Sequence, residues 1–319
     1  MTLADDAFKA MWSDWDDAHS FPVRRPVLAH YTSVPTLVQI LTNNEFWLSH
    51  PLLMNDHQEM KWGLTEAQRL LASHAGIAKA CREEERYDTF MKHFDTEYEE
   101  YTTTYAYDVY VACFCEHQRT DPDGLLSMWR AYGANGGGVA IVFDTTKLKA
   151  NEDSPLILSP VTYATQEERV SKISSRIDAL ANFINEHQPD SDGLKWCAKA
   201  LFSRFAMLAI FTKHKGFREE DEWRLAYMPD RDTADSKYAR MISYAVSERG
   251  AQPKLKLQFG PGMEDGVDLN SVISQILLGP ALSAPLSVVA TQRMLRTIRP
   301  ESELADSVVA SGIPLKSGR

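Results

Sequence analysis

The chain has 319 residues, 44% of them hydrophobic and 24% charged, which is the composition of a globular protein long enough for one large domain or two ordinary ones. A net charge of −10 argues against a general nucleic-acid coat and against an anionic membrane surface. No apolar run approaches the roughly 20 residues that span a bilayer. The acidic N-terminus has no secretory pattern, and four scattered cysteines point to reduced thiols in a cytoplasmic protein.

In chain order, residues 1–26 read as an amphipathic helical arm carrying Phe8, Met11, Trp12 and Trp15, closed by Pro22 and Pro26. Val27 to Ser33 reads as a strand entering a turn. Pro35 then sits in a first helical turn that Ser33 or Thr32 caps, and Leu37, Ile40 and Leu41 give the helix its apolar stripe. Glu45 to His50 alternates as a short strand, and Asn55-Asp56 reads as a turn. A charged helical stretch over about 60–104 precedes a strong strand at Tyr107 to Cys115, with Cys113 and Cys115 on one face. Ser127 to Tyr132 reads as one helical turn. Gly133 and the run Gly136 to Gly138 break it, and the glycines let another group approach closely, as in one wall of a ligand cleft, or form a plain hairpin turn, before the buried strand Val139 to Phe143. Leu156 to Tyr163 is a further strand, two helices fill about 165–213, and His214 to Tyr227 is a charged turn running into a strand. Lys254 to Leu257 and Val272 to Leu278 are late strands, Leu282 to Ile298 is a closing helix, and 301–319 is a tail. Strands scattered among helices without strict alternation give an α+β class: one domain over 27–300 with helical insertions.

Three constellations carry candidate chemistry. His30, Tyr31 and Thr32 stand at a strand end, where imidazole and hydroxyl can bond sugar hydroxyls, or where they satisfy local backbone and cap the next helix. Glu219 to Glu222 form an acidic run before Trp223. Strand alternation puts Glu220 and Glu222 on one side with Arg224, and a carboxylate beside a guanidinium stays ionised, as a group stabilising positive charge must. Asn55 to Glu59 offers metal-type ligands without a defensible spacing, so a turn with a helix cap is the better reading and no metal is expected. Motifs for a P-loop, a Rossmann fingerprint and a nucleophile elbow are absent.

Taken in order, His30 to Ser33, Phe46 to Ser49, Asn55-Asp56 with Glu59, Cys113 to Glu116, Ser127 to Tyr132, Gly138 to Asp144, Lys213 to Lys215, Glu220 to Arg224 and Leu278 to Pro280 resemble a widespread bacterial family known as domain of unknown function 2971. The resemblance spans roughly 27 to 280 and departs at Cys115, where the family pattern has serine. More distantly the same blocks resemble the ADP-ribosyltransferase superfamily. That resemblance implies a split two-sheet α+β core with helical insertions and NAD+ lying between the sheets as substrate. It also implies that His30 holds the adenosine-side ribose, that Tyr132 or Tyr31 stacks on nicotinamide, and that Glu222, or alternatively Glu220, bonds the nicotinamide ribose. Thr32, Ser49, Ser127, Trp129 and Arg224 complete the implied binding set.

Cleaving the nicotinamide–ribose bond builds positive charge on the sugar, and a fixed carboxylate favours that transition state over the neutral ground state. The expectation is therefore transfer of ADP-ribose to a protein or nucleic-acid acceptor by a toxin or phage-defence effector, with a neutralising partner conceivable. Two alternatives stand beside it. One is a nucleotide-sensing module that only binds. The other is a metal-dependent hydrolase or nuclease using His30, Asp56, Glu59, Glu220 and Glu222.

Overall fold

The computed structural model describes residues 2–14, 19–54, 57–103, 108–151, 154–232, 237–247, 250–260 and 267–315. Its elements run α1 (Leu3–Met11), β1 (Val27–Thr32), α2 (Val34–Asn43), β2 (Glu45–Ser49), α3 (His57–Ala72), α4 (Ala75–Cys81), α5 (Glu84–Thr103), β3 (Tyr110–His117), α6 (Leu126–Ala131) and β4 (Val139–Asp144). They continue β5 (Leu156–Pro160), β6 (Thr162–Ala164), α7 (Gln166–His187), α8 (Ser191–Ile210), β7 (Thr212–His214), β8 (Glu222–Tyr227), β9 (Ile242–Ser247), β10 (Gly250–Gln258), α9 (Leu269–Val272), β11 (Ile273–Leu278), α10 (Pro285–Ile298) and β12 (Val308–Ala310). The mixture is α+β, as expected.

The chain divides into two compact units. One comprises Met1–Asp17, His50–Val109 and Val161–Phe217, and the other Ala18–Ser49, Tyr110–Pro160 and Arg218–Arg319. The first is helical. Its α8 is apolar nearly all round, burying Leu194, Cys197, Leu201, Phe202, Phe205 and Ile210, so it becomes the central helix and packs against α1, α3 and α5. Phe94 and Tyr101 of α5 meet Phe202 edge-on at ring separations of 5.9 and 5.3 Å. Thr165 and Glu168 form a capping box at the start of α7, and β6 pairs in parallel with β7.

The second unit is built on one sheet that, among the described residues, contains ten strands. Its main path runs β12-β11-β4-β1-β3-β2-β10-β9, with β8 on β3 and β5 on β8. A continuous sheet thus stands where two small ones were expected. Side chains alternate across it. One face carries Leu28, Phe46, Phe114, Phe143, Trp223 and Leu255 into a large apolar core. The other carries Ala29, Tyr31, Cys115, Ala140 and Val142, and Met128 and Trp129 of α6 pack on these.

Local sequence signals place several elements correctly. Ser33 caps α2 by accepting from Thr36 N, with Pro35 in the first turn, and Asn44 ends the helix in the left-handed region at φ 57°. Other expectations need correction. The single strand expected over Leu156 to Tyr163 is two strands, because the chain passes from one unit to the other between Pro160 and Val161. Strands β9 and β12 were not anticipated; β12 is only three residues long and gains its place by parallel pairing with β11. Trp15, Asn55, Asp56 and Tyr107 lie outside the described residues.

Candidate active site at the start of β8

The site is organised by β3, whose two edges are used differently. Along one edge it pairs antiparallel with β8 from Tyr110↔Tyr227 to Cys115↔Glu222. The other edge is shared: β1 takes the end at Cys115 to His117, and β2 pairs only at Ser49↔Val111. His30 bridges the interval between them. Its Nδ1 lies 2.9 Å from the Cys113 carbonyl, and since a carbonyl only accepts, Nδ1 carries the proton. The ring meets Phe46 edge-on at 5.0 Å and Phe114 at 5.7 Å. Burial there lowers the His30 pKa, opposed by the bond to Cys113, so the imidazole is held neutral.

Alternation from the paired registers places Cys113, Cys115, Glu222 and Arg224 on the face that α6 partly covers. Glu222 and Arg224 are 4% and 8% exposed, and they grip each other as a fork: Arg224 Nε donates to Oε1 at 2.7 Å and Nη2 to Oε2 at 3.3 Å. The fork fixes the orientation of the Glu222 carboxylate. On the reverse face, Trp223 Nε1 donates to Glu116 Oε2 at 3.0 Å, and the Arg24 guanidinium lies over the Trp223 ring at 5.5 Å. The strand that presents Glu222 is therefore pinned from both sides.

Glu220 is not on the strand. It ends a 3-10 turn at Lys215–Glu220, and Asp221 follows in the left-handed region at φ 41°. The alternation expected to put Glu220 beside Glu222 does not reach it, because the strand begins only at Glu222. Glu220 is instead positioned by Tyr132 at the end of α6, whose hydroxyl donates to its Oε1 at 3.3 Å. Burial and the nearby Glu116 raise the Asp221 carboxyl, with Arg24 opposing. Burial, reinforced by Asp221 and Glu220, pushes the Cys115 thiol up to about 12, so the departure from serine places an un-ionised thiol at this point of the face.

The remaining candidates divide clearly. Tyr31 and Trp129 are buried structural residues, with rings edge-on at 4.8 Å; Leu125 N donates to the Tyr31 hydroxyl and Trp129 Nε1 to the Asp123 carbonyl, at 2.9 and 2.8 Å. Together they fasten the loop that leads into α6. Ser127 is exposed on that short helix, and Tyr132 is 38% exposed. Thr32 pairs with Val139, and its carbonyl stands only 2.2 Å from where a Cβ at Gly138 would lie. The room given by Gly138 is thus filled by the chain's own backbone, and that at Gly136 by the side chains of Leu315 and Pro280. Ser49, on the Glu222 face through its register with Val111, accepts from Lys254 Nζ at 2.8 Å, and burial lowers that amine's pKa. Lys254 escaped the sequence reading because only the long-range pairing Lys254↔Ser49 brings it there.

Ser49, Glu222 and Arg224 therefore share a face, Tyr132 and Glu220 bond each other beside it, and His30 and Thr32 project from the opposite face. Among the described residues no group of three His, Cys, Asp or Glu side chains could hold a metal ion. Asp56 and the side chain of Glu59, from the metal-hydrolase set, lie outside the described residues. No helix among the described residues is long and apolar enough to cross a membrane.

With this geometry in place, comparison with known proteins adds one result. Residues 128–225 match the model of a family described as a protein of unknown function (DUF2971), a segment running from α6 through β8. The match supports the resemblance read from the sequence over under a third of the chain, and it contains Tyr132, Glu220, Glu222 and Arg224. No curated protein and no solved structure matches.

Proposed function

We propose that the chain is an ADP-ribosyltransferase-like enzyme that uses NAD+ as substrate, with Glu222 as the catalytic carboxylate. One observation carries this reading: Glu222 is an oriented carboxylate at a strand start, gripped by Arg224, with the second carboxylate Glu220 two residues away and bonded to Tyr132. Such a carboxylate stabilises the positive charge that grows on the ribose as the bond to nicotinamide breaks. The bond's electron pair leaves with nicotinamide, the acceptor's nucleophilic atom bonds the anomeric carbon, and Glu220 takes the acceptor's proton. The assignment uses Glu222, Glu220, Arg224, Tyr132, Ser127 and Ser49, and it leaves out His30, Thr32, Tyr31 and Trp129. The net charge of −10 favours a protein acceptor over a long nucleic-acid footprint, in keeping with an effector acting on another protein.

The deep burial of Glu222 favours one further reading, a nucleotide-sensing module in which the same residues bind without turnover. Calorimetric titration of the purified chain with NAD+, with nicotinamide followed in the same samples, separates the two. Binding with release supports the enzyme and binding without release the sensor. No binding at millimolar NAD+ by folded protein removes both.

A further inference from the structure

The main path of the large sheet ends at β9, which pairs only with β10 among the described residues. At the other end of that path β12 is three residues long, and so short an edge offers little backbone to an incoming strand. Strand β9 is different. It runs six residues, Ile-Ser-Tyr-Ala-Val-Ser, in unbroken register with β10. It carries none of the devices that blunt an edge: no charged side chain, no proline and no bulge.

The apolar residues of β9 share one face. Ile242, Tyr244 and Val246 alternate to one side, opposite Leu255, Pro253 and Ala251 of β10. Leu255 belongs to the large apolar core and Ile242 packs against it, so this is the core-facing side of the sheet. The core does not follow the hairpin further: Tyr244 is 64% and Val246 82% exposed. An aromatic ring and a branched apolar side chain therefore stand in solvent beside a strand edge that no other described strand occupies.

We propose that β9 pairs antiparallel with β9 of a second copy of this chain, about a two-fold axis at Tyr244, joining two sheets edge to edge. The strand is self-complementary about that residue. Ile242 falls opposite the partner's Val246, Ser243 opposite the partner's Ala245, and Tyr244 opposite the partner's Tyr244. Branched apolar meets branched apolar, small meets small, ring meets ring, and no like charges oppose each other. Directly opposed side chains lie on one face of such a pair, so Val246 lands beside the partner's Ile242 at the margin of the partner's core. A second copy meets every one of these requirements with its own residues, which selects it over an unrelated strand. The surface is independent of the Glu222 assignment.

The test is sedimentation equilibrium of the full chain from about 1 to 100 µM, the range in which an interface of modest area is populated. Wild type is expected to show a monomer–dimer equilibrium. Tyr244→Lys sets two ammonium groups against each other at the axis and is expected to weaken the dimer by about a hundredfold or more. Val246→Lys is expected to weaken it by about tenfold or more. Leu286→Lys alters a comparably exposed residue of α10, 77% exposed, and is expected to leave the equilibrium unchanged. Urea midpoints on the same samples check that each variant is folded. A wild type that stays monomeric at the highest concentration, a dimer of equal strength in folded Tyr244→Lys, or a dimer lost in folded Leu286→Lys would overturn the proposal.

Discussion

His30 and Glu222 project from opposite faces of one sheet, on strands β1 and β8 with only β3 between them. The register fixes this: Ala29 pairs with Cys115 and Cys115 with Glu222, so Ala29 and Glu222 share a face and His30 takes the other. A nucleotide lying along the Glu222 face meets Ser49 and Arg224 there and does not meet His30. His30→Gln is accordingly expected to change NAD+ affinity by no more than about threefold, under 1 kcal/mol. A loss of tenfold or more by titration would place His30 in the binding site.

The same substitution should instead alter the pH dependence of stability. The pKa of His30 is depressed by burial, whereas in the unfolded chain it returns to about 6.5. Below that pH the unfolded state holds a proton that the native state lacks, so stability falls as the solution is acidified through about 6.5 toward the folded pKa. Urea midpoints for wild type should drop more between about pH 7.5 and 5.5 than those for His30→Gln. His117 is depressed in the same direction, but it is present in both proteins and cancels in the comparison. Equal drops would contradict the neutral, buried assignment.

Glu222 and Arg224 form a buried pair in which loss of either partner strands the other charge. Glu222→Ala is expected to cost about 3–5 kcal/mol of unfolding free energy. A double-mutant cycle with Arg224→Met should show the double variant losing less than the sum of the singles, with a coupling of about 1–3 kcal/mol. Additive losses would mean that the fork seen at 2.7 and 3.3 Å contributes nothing.

Gly138 is required for a reason different from the usual one. A Cβ there would lie 2.2 Å from the Thr32 carbonyl oxygen and 2.9 Å from the Gly133 carbonyl, all backbone that cannot step aside. At Gly250, where φ is 92°, nothing lies within 4 Å, so Ala brings only conformational strain of about 1–3 kcal/mol. Gly138→Ala should destabilise the protein by more than Gly250→Ala does in urea melts. The reverse order would show that the backbone around Thr32 is free to relax.

The parts of this structure that were legible in the sequence are those with local causes. Strand β1, the Ser33 cap with Pro35, the stripe of Leu37, Ile40 and Leu41, and the paired facing of Cys113 and Cys115 all follow from neighbours in the chain. What was not legible depends on distant pairing. Which face of β1 would be covered by α6, and so whether His30 or Tyr31 would look toward Glu222, is set by strands tens of residues away. The facing of Lys254 onto Ser49 is likewise a register between residues 205 apart in sequence. Glu220 was misread for a local reason: Asp221 turns into the left-handed region and ends the alternation one residue short. The glycine run was legible as a place but not as a purpose, since the group that approaches Gly138 is the backbone at Thr32, brought there by the long-range pairing of β1 with β4.

The central claim is that Glu222 acts on the sugar of NAD+ while its neighbours hold the nucleotide. The most direct measurement is nicotinamide release from NAD+ by wild type, Glu222→Gln and Glu220→Gln, with NAD+ binding measured on the same samples by calorimetry. The expected result is release by wild type and, in Glu222→Gln, unchanged NAD+ affinity with release lowered by about a hundredfold or more, the scale of losing one electrostatic transition-state contact. Full release by both variants in folded protein would contradict the assignment of these carboxylates.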